Sequence, residues 1–337
     1  MTSAPADGSK APRVPLRRIL AVMLLGVLVY AGFVVFRGLG SVRALLRTYD
    51  WSTFAAACAL AFGNYVVRYF KWEFYLARLG LQRAPGASAR SISPTDSFLT
   101  FLSGFVLTVS PGKVGEVFKS LVLFETHGVA IARTAPIVVA ERVTDLIGII
   151  ALIVVGSSGF AGGRVWAGIG AALVLSLVVV VASRRLSLGI IGIVERMPGP
   201  LGRIGPKLHD AYESLAVLVA PRNLVVPTLL SIGAWFLECL SLYVILRGFG
   251  ESVSVALSTF FYATSTLAGA LVAITPGGLG VTEGALQSQL IELGHVSEPS
   301  ATASMVLVRL ATLWFAVLVG FIALSLLKRR YPKLLRD

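Results

Sequence analysis

Two apolar regions of this chain, residues 96–126 and 255–293, are each broken by the same short signal. The first copy reads Ser110-Pro111-Gly112-Lys113-Val114-Gly115-Glu116. The second reads Thr275-Pro276-Gly277-Gly278-Leu279-Gly280, with Glu283 three residues on. Proline lacks an N–H and glycine leaves the backbone unrestrained, so both stop a helix. Within lipid, such a break is tolerated only where other protein or a wet cavity satisfies the freed backbone groups. Paired interruptions in corresponding segments are the sequence mark of a transporter's binding site.

The setting for these breaks is a membrane. The 337 residues are 56% hydrophobic and 14% charged, with mean hydropathy +0.82. Long, numerous apolar runs in such a composition indicate an integral membrane protein with several spans. Strand-like alternation is absent from the sequence, which argues against a membrane β-barrel. The net charge is +13, but the basic residues sit at the ends of apolar runs. Membrane orientation and contact with anionic headgroups explain that placement better than nucleic acid does. Cys58 and Cys239 fall inside predicted spans and read as small buried residues. His127, His209 and His295 are scattered without ligand spacing, so no metal is expected. No cofactor loop and no nucleophile-with-base arrangement occurs, so an enzyme is not expected and no catalytic residue is assigned.

The expected fold is an all-α integral membrane protein with about six full spans and two re-entrant helical hairpins. A crossing needs about 20 helical residues. The segments 17–37, 52–79, 131–157, 163–183, 225–248 and 301–327 meet that length. The first run has no small-residue cleavage site, so it reads as a retained span. The arms on either side of each Pro-Gly break are short for a crossing. Each broken region therefore reads as a hairpin that enters and leaves on one face. With both termini in the cytoplasm, this topology puts most Lys and Arg inside, as the positive-inside rule requires. Residues 1–16 form a disordered cytoplasmic tail, 17–327 the polytopic membrane domain and 328–337 a basic cytoplasmic tail. Residues 206–219 place their apolar side chains on one helical face and read as an interfacial helix.

Each broken region belongs to a longer unit of span, hairpin and span. Repeat one covers about 52–157 and repeat two about 225–327. The first starts outside and the second inside, which makes an inverted repeat about an axis in the membrane plane.

Charges at membrane depth are costly and mark functional candidates. Glu141, Arg142 and Asp145 lie within one apolar run; Lys113, Glu116 and Lys119 follow the first break; Glu283 follows the second. Arg309 stands alone in the last span, with Glu283 or Glu116 as possible partners in space. Glu238 sits in the fifth span as a protonated core residue or a hydrogen-bonding group. Arg68, Lys71 and Glu73 are expected to snorkel to the interface. One reading makes Glu141, Arg142 and Asp145 a structural ion-pair cluster. The glycines at 277, 278 and 280 likewise have a plain packing reading. A sharper reading joins the charges to the helix N-termini that follow the breaks, whose free N–H groups favour anions. Lys113, Arg142 and Arg309, with Gly112, Gly277 and Gly278, would then bind a phosphate-bearing headgroup, while Glu116, Glu141, Asp145 and Glu283 gate or couple.

At three of these motifs the chain resembles the flippase-like family that includes the transmembrane region of lysylphosphatidylglycerol synthases. They are Pro111-Gly112-Lys113-Val114-Gly115-Glu116, Glu141-Arg142-Val143-Thr144-Asp145 and Pro276-Gly277-Gly278-Leu279-Gly280-Val281-Thr282-Glu283. The resemblance runs from about residue 17 to 327. It implies translocation of an anionic or aminoacylated phospholipid, or of a polyprenyl-phosphate lipid, across a prokaryotic plasma membrane. Lys113 stands where a second glycine is common in the family. The synthases carry a soluble transferase domain after their membrane region, and this chain is expected to correspond to the membrane region alone.

The expected function is a lipid flippase working by alternating access, with a membrane lipid as its partner and an enzyme of envelope synthesis as a further one. A transporter or channel for a small soluble anion competes with it, as does a non-transporting scaffold for envelope synthesis. An intramembrane enzyme acting on polyprenyl phosphate is the weakest alternative.

Overall fold

A computed structural model describes residues 45–82, 92–109, 117–160, 215–271 and 278–335, with scattered positions between 162 and 176. The first tail, the span 17–37, most of the span 163–183 and residues 206–214 of the interfacial segment lie outside the described residues. So do Gly112, Lys113, Glu116 and Gly277.

The described residues are helical, apart from turns and one isolated bridge between Gln82 and Ile92. In chain order the helices are α1 Trp51–Arg78, α2 Pro94–Ser103, α3 Phe118–His127, α4 Ile131–Gly156, α5 Pro221–Gly248, α6 Val255–Leu271, α7 Val281–Glu292, α8 Glu298–Arg309 and α9 Phe315–Arg330. A 3₁₀ turn, Gly104–Leu107, extends α2, and a π-helical turn, Leu310–Trp314, joins α8 to α9.

Helix ends follow from local chemistry. Asp50 caps α1 by accepting from Ser52 N, and Ser93 caps α2 by accepting from Asp96 N, with Pro94 opening the helix. Gly128 ends α3 in the left-handed region, at φ +68°. The second apolar region is described as helical over Val255–Leu271 and again from Val281. Gly278 and Gly280, just before α7, have φ +72° and +88°, values that L side chains rarely adopt.

Length and composition qualify two described helical stretches as membrane-crossing, Arg222–Gly248 and Glu298–Arg330. Helices α1 and α4, of 28 and 26 residues, span about 40 Å, longer than the ~30 Å hydrocarbon core. Both carry several charges. Leu229, Leu318, Ile322 and Val155 point their apolar side chains outward, where a bilayer would cover them.

The centre of the molecule is the antiparallel pair α1 and α5. Asp50 N donates to Gly248 O at one end, Ser241 Oγ to Ala57 O further in, and Lys71 Nζ to Ser231 Oγ towards the other end. Around this pair, α4 packs on α5 and α6, while α9 packs on α2 and its 3₁₀ extension. Both outer contacts are made by glycine. A methyl group at Gly156 of α4 would lie 2.7 Å from Phe260 N of α6, and one at Gly320 of α9 would lie 2.6 Å from Val106 N of the 3₁₀ turn. Only a residue without Cβ lets these backbones meet.

Two apolar clusters result. One gathers Trp72, Tyr75, Phe101, Leu123 and Leu327; the other gathers Leu242, Ile245, Phe261, Leu290 and Met305.

Candidate functional site

The membrane charges converge on one place. Asp145 of α4 binds Lys71 Nζ at 2.5 Å and Arg68 Nη2 at 3.5 Å, both from α1, and accepts from Ser231 Oγ of α5 at 2.9 Å. Glu141, one turn away on α4, binds Lys119 Nζ of α3 at 2.7 Å. Glu283 of α7 binds Arg309 Nε of α8 at 2.5 Å. Every partner in these pairs except Arg68 is buried. A charge withdrawn from water needs such a counter-charge and further hydrogen bonds to persist.

Lys71 therefore does not snorkel. It is fully buried, because its position on α1 faces α4 and α5 and the Asp145 carboxylate receives its ammonium. Arg68 is drawn inward by the same carboxylate. Glu73, nearer the helix end, is half-buried and accepts from Gln82 Nε2 at 2.8 Å and from Ser97 Oγ.

A cavity opens beside these pairs, with an empty volume of about 1010 Å³ counted to its open mouth. Its described lining comes from α1, α2 with its 3₁₀ extension, α3, α4, α5, α6, α7, α8, the π-helical turn and α9. Arg68, Lys119, Arg142 and Arg309 are the basic residues among its described lining, and Glu238 is the acid. Tyr65, Phe101, Trp235 and Tyr262 give it aromatic faces. The Lys119 ammonium lies 4.7 Å from the Trp72 ring centroid and 5.3 Å from that of Phe101, within cation–π range. Its methylene stem crosses Gly104, where a Cβ would come 2.7 Å from Lys119 Cγ. Asp145, Glu141 and Glu283 stand behind this lining and partner three of its cations. Arg142, next to Glu141 in sequence, reaches the cavity itself.

Two buried donors at the cavity, Arg68 Nε and Trp235 Nε1, have no hydrogen-bond partner among the described residues. Buried donors without acceptors are costly, and a bound anion would satisfy them.

The residues that follow the second Pro-Gly pair, from Gly278 on, are tied to the start of α7. Glu283 Oε2 accepts from Gly280 N at 2.6 Å, so the carboxylate closes the start of α7 while its other oxygen holds Arg309. Glu283 thus takes one of the N–H groups at this helix start. Gly278 lines the cavity and also packs tightly, because a Cβ would meet Gly269 Cα at 3.2 Å and Thr282 Oγ1 at 2.9 Å.

Arg309 is followed directly by the π-helical turn. Such a turn leaves backbone groups without their α-helical partners, and Tyr65 Oη donates to Thr312 O at 2.9 Å.

The structure thus brings Arg142, Arg309 and Gly278 of the expected binding residues to one cavity, with Glu141, Asp145 and Glu283 behind it. It adds Arg68, Lys119 and Glu238. For Arg68 the signal was the spacing of Asn64, Arg68, Lys71 and Tyr75, which marks one polar face of an otherwise apolar helix.

A family model for the lysylphosphatidylglycerol synthase TM region matches residues 23–320. A UPF0104 membrane protein of Methanothermobacter thermautotrophicus is 23% identical over 326 residues, covering 90% of this chain and 94% of the relative. A UPF0104 membrane protein of Methanocaldococcus jannaschii is 24% identical over 229 residues, covering 68% of this chain and 97% of the relative.

Proposed function

Because the chain belongs to the lysylphosphatidylglycerol synthase TM-region family, a family of membrane proteins with a lipid-related role, we propose that it translocates an anionic lipid. The substrate is a phospholipid or a polyprenyl-phosphate-linked lipid, and the membrane is a prokaryotic plasma membrane with both termini in the cytoplasm. The protein is a transporter in this reading and not an enzyme.

One observation carries the reading: the cavity lined by Arg68, Lys119, Arg142 and Arg309 at the level of the charged pairs. Three of these cations already hold a carboxylate that stands behind the lining. A headgroup phosphate is a competing acceptor, which Arg68 and Arg309 can take bidentately and Lys119 as a point charge. It would draw the cations away from Asp145, Glu141 and Glu283 on binding and return them on release. The pairs then work as counter-charges for the empty site, which is the gating role assigned to these acids. The acyl or prenyl chain remains in the bilayer.

Alternating access would come from two units, about 52–157 and 225–327, each a span, a re-entrant hairpin and a span. Support for the inverted relation comes from the antiparallel pair α1 and α5, whose lengths are equal at 28 residues. Further support is the exchange of outer contacts, with α4 on α6 and α9 on α2.

The test is reconstitution in liposomes with fluorescent phosphatidylglycerol and a short-chain polyprenyl phosphate, with soluble phosphate uptake measured beside them. Protein-dependent movement of one lipid is expected, reduced at least about tenfold in Arg309→Ala and in Arg142→Ala. Movement of phosphate alone would establish the soluble-anion transporter instead. No movement by folded protein would leave the scaffold reading.

A further inference from the structure

Glu238 differs from the other acids at the site. Asp145, Glu141 and Glu283 each contact a cation within 4 Å, whereas Glu238, on the cavity wall, accepts from Tyr262 Oη at 2.7 Å and has no cation that close among the described residues. It is buried. Every element packed around it faces it with a titratable or charged group: Tyr65 and Arg68 on α1, Asp145 on α4, Tyr262 on α6 and Arg309 on α8, with Cys239 beside it on α5. Its ionised form thus shares the field of Arg68 and Arg309 with any incoming anion, and its protonated form leaves that field to the anion. An acid embedded at membrane depth beside a cationic site is the usual place for a proton relay.

We infer that Glu238 is a proton-binding site coupled to the anion site, so that a proton and a phosphate-bearing headgroup occupy the cavity together and cross together. This deepens the anion-transport reading and rests on it. The proton comes from the aqueous phase that reaches the cavity mouth, adds to the Glu238 carboxylate as the anion binds, and leaves when the anion leaves. One negative charge is thereby removed for each one brought in, which lowers the electrostatic cost of the loaded state.

The test is calorimetric titration of the purified full chain in neutral detergent, with dioctanoyl phosphatidylglycerol and, separately, inorganic phosphate. It is run at several pH values in buffers of different ionisation enthalpy. The expected result is uptake of about one proton per lipid bound, with affinity falling about tenfold per pH unit above the titration. In Glu238→Gln the uptake disappears and affinity no longer follows pH. Tyr262→Phe removes the hydrogen bond that holds the ionised carboxylate and moves the pH profile of binding upward. This second variant tests the idea even where Glu238→Gln does not fold. Lipid binding without proton uptake at any pH would overturn the inference and leave the lipid reading standing. Phosphate binding with proton uptake, but no lipid binding, would support the coupling and overturn the lipid reading. Binding of neither would overturn both.

Discussion

Asn64 Nδ2 donates to the carbonyl of Ala234 at 2.8 Å, and the two residues hold the same place in α1 and α5, 170 positions apart along the chain. The bond joins the midpoints of the two central helices. Both residues are fully buried, so water cannot replace the partner that either would lose. Asn64→Ala should cost about 1–3 kcal/mol, the penalty for removing one partner of a buried hydrogen bond. A denaturation midpoint in detergent, compared with wild type, checks this.

The buried pairs should differ in cost according to how many cations each acid serves. Asp145 holds Lys71 and Arg68 and accepts from Ser231. Asp145→Asn leaves two cations without that carboxylate, whereas Lys71→Met leaves Asp145 with Arg68 and Ser231. Breaking a buried pair costs about 3–5 kcal/mol. Asp145→Asn is expected at or above the upper end and Lys71→Met near the lower. The same denaturation measurement ranks them, and equal costs would contradict the shared-carboxylate arrangement.

Gly156→Ala and Gly320→Ala should each destabilise by about 1–3 kcal/mol, since the added methyl meets backbone that has no free path away. Gly233 and Gly284 are the controls, with open space where a Cβ would stand. Alanine at either should be neutral or slightly stabilising, because it improves helix propensity. Thermal melting of the four variants separates the two outcomes.

His127, at the end of α3, should make stability depend on pH. Burial outweighs the attraction of the Asp96 carboxylate, 3.9 Å away, and holds the imidazole below its ordinary value of 6.5. The unfolded chain then binds the proton more readily than the folded one. The contribution is complete above pH 6.5 and is lost as the pH falls through the lowered folded value. The melting temperature of wild type should therefore drop more steeply on acidification than that of His127→Gln. An identical drop would assign the effect to other groups.

The sequence made some of this legible and hid the rest for identifiable reasons. Proline and glycine act on the backbone within a few residues, so the start of α7 at Val281 can be read from Pro276, Gly277, Gly278 and Gly280 alone. Arg142 and Arg309 stand out because no apolar helix carries them without a reason. Lys71 was misleading, since it lies only seven residues before the end of α1 and has stem enough to reach an interface. Its carboxylate partner is 74 positions away along the chain, which local spacing cannot reveal. Glu238 was visible as an isolated acid, but its place on the cavity wall depends on the packing of α1, α6 and α8 against α5.

The contact at Gly156 also sets an order of events during biosynthesis. The surface on which α4 rests includes Phe260, 104 residues downstream (260 minus 156). At a synthesis rate of about 5–20 residues per second, α4 waits about 5–20 s before that surface leaves the ribosome. During that interval the carboxylates of Glu141 and Asp145 have Lys119, Arg68 and Lys71, already made, as counter-ions, while Ser231 has yet to be made. The ion pairs that later furnish a binding site would thus first keep a half-made helix tolerable in lipid.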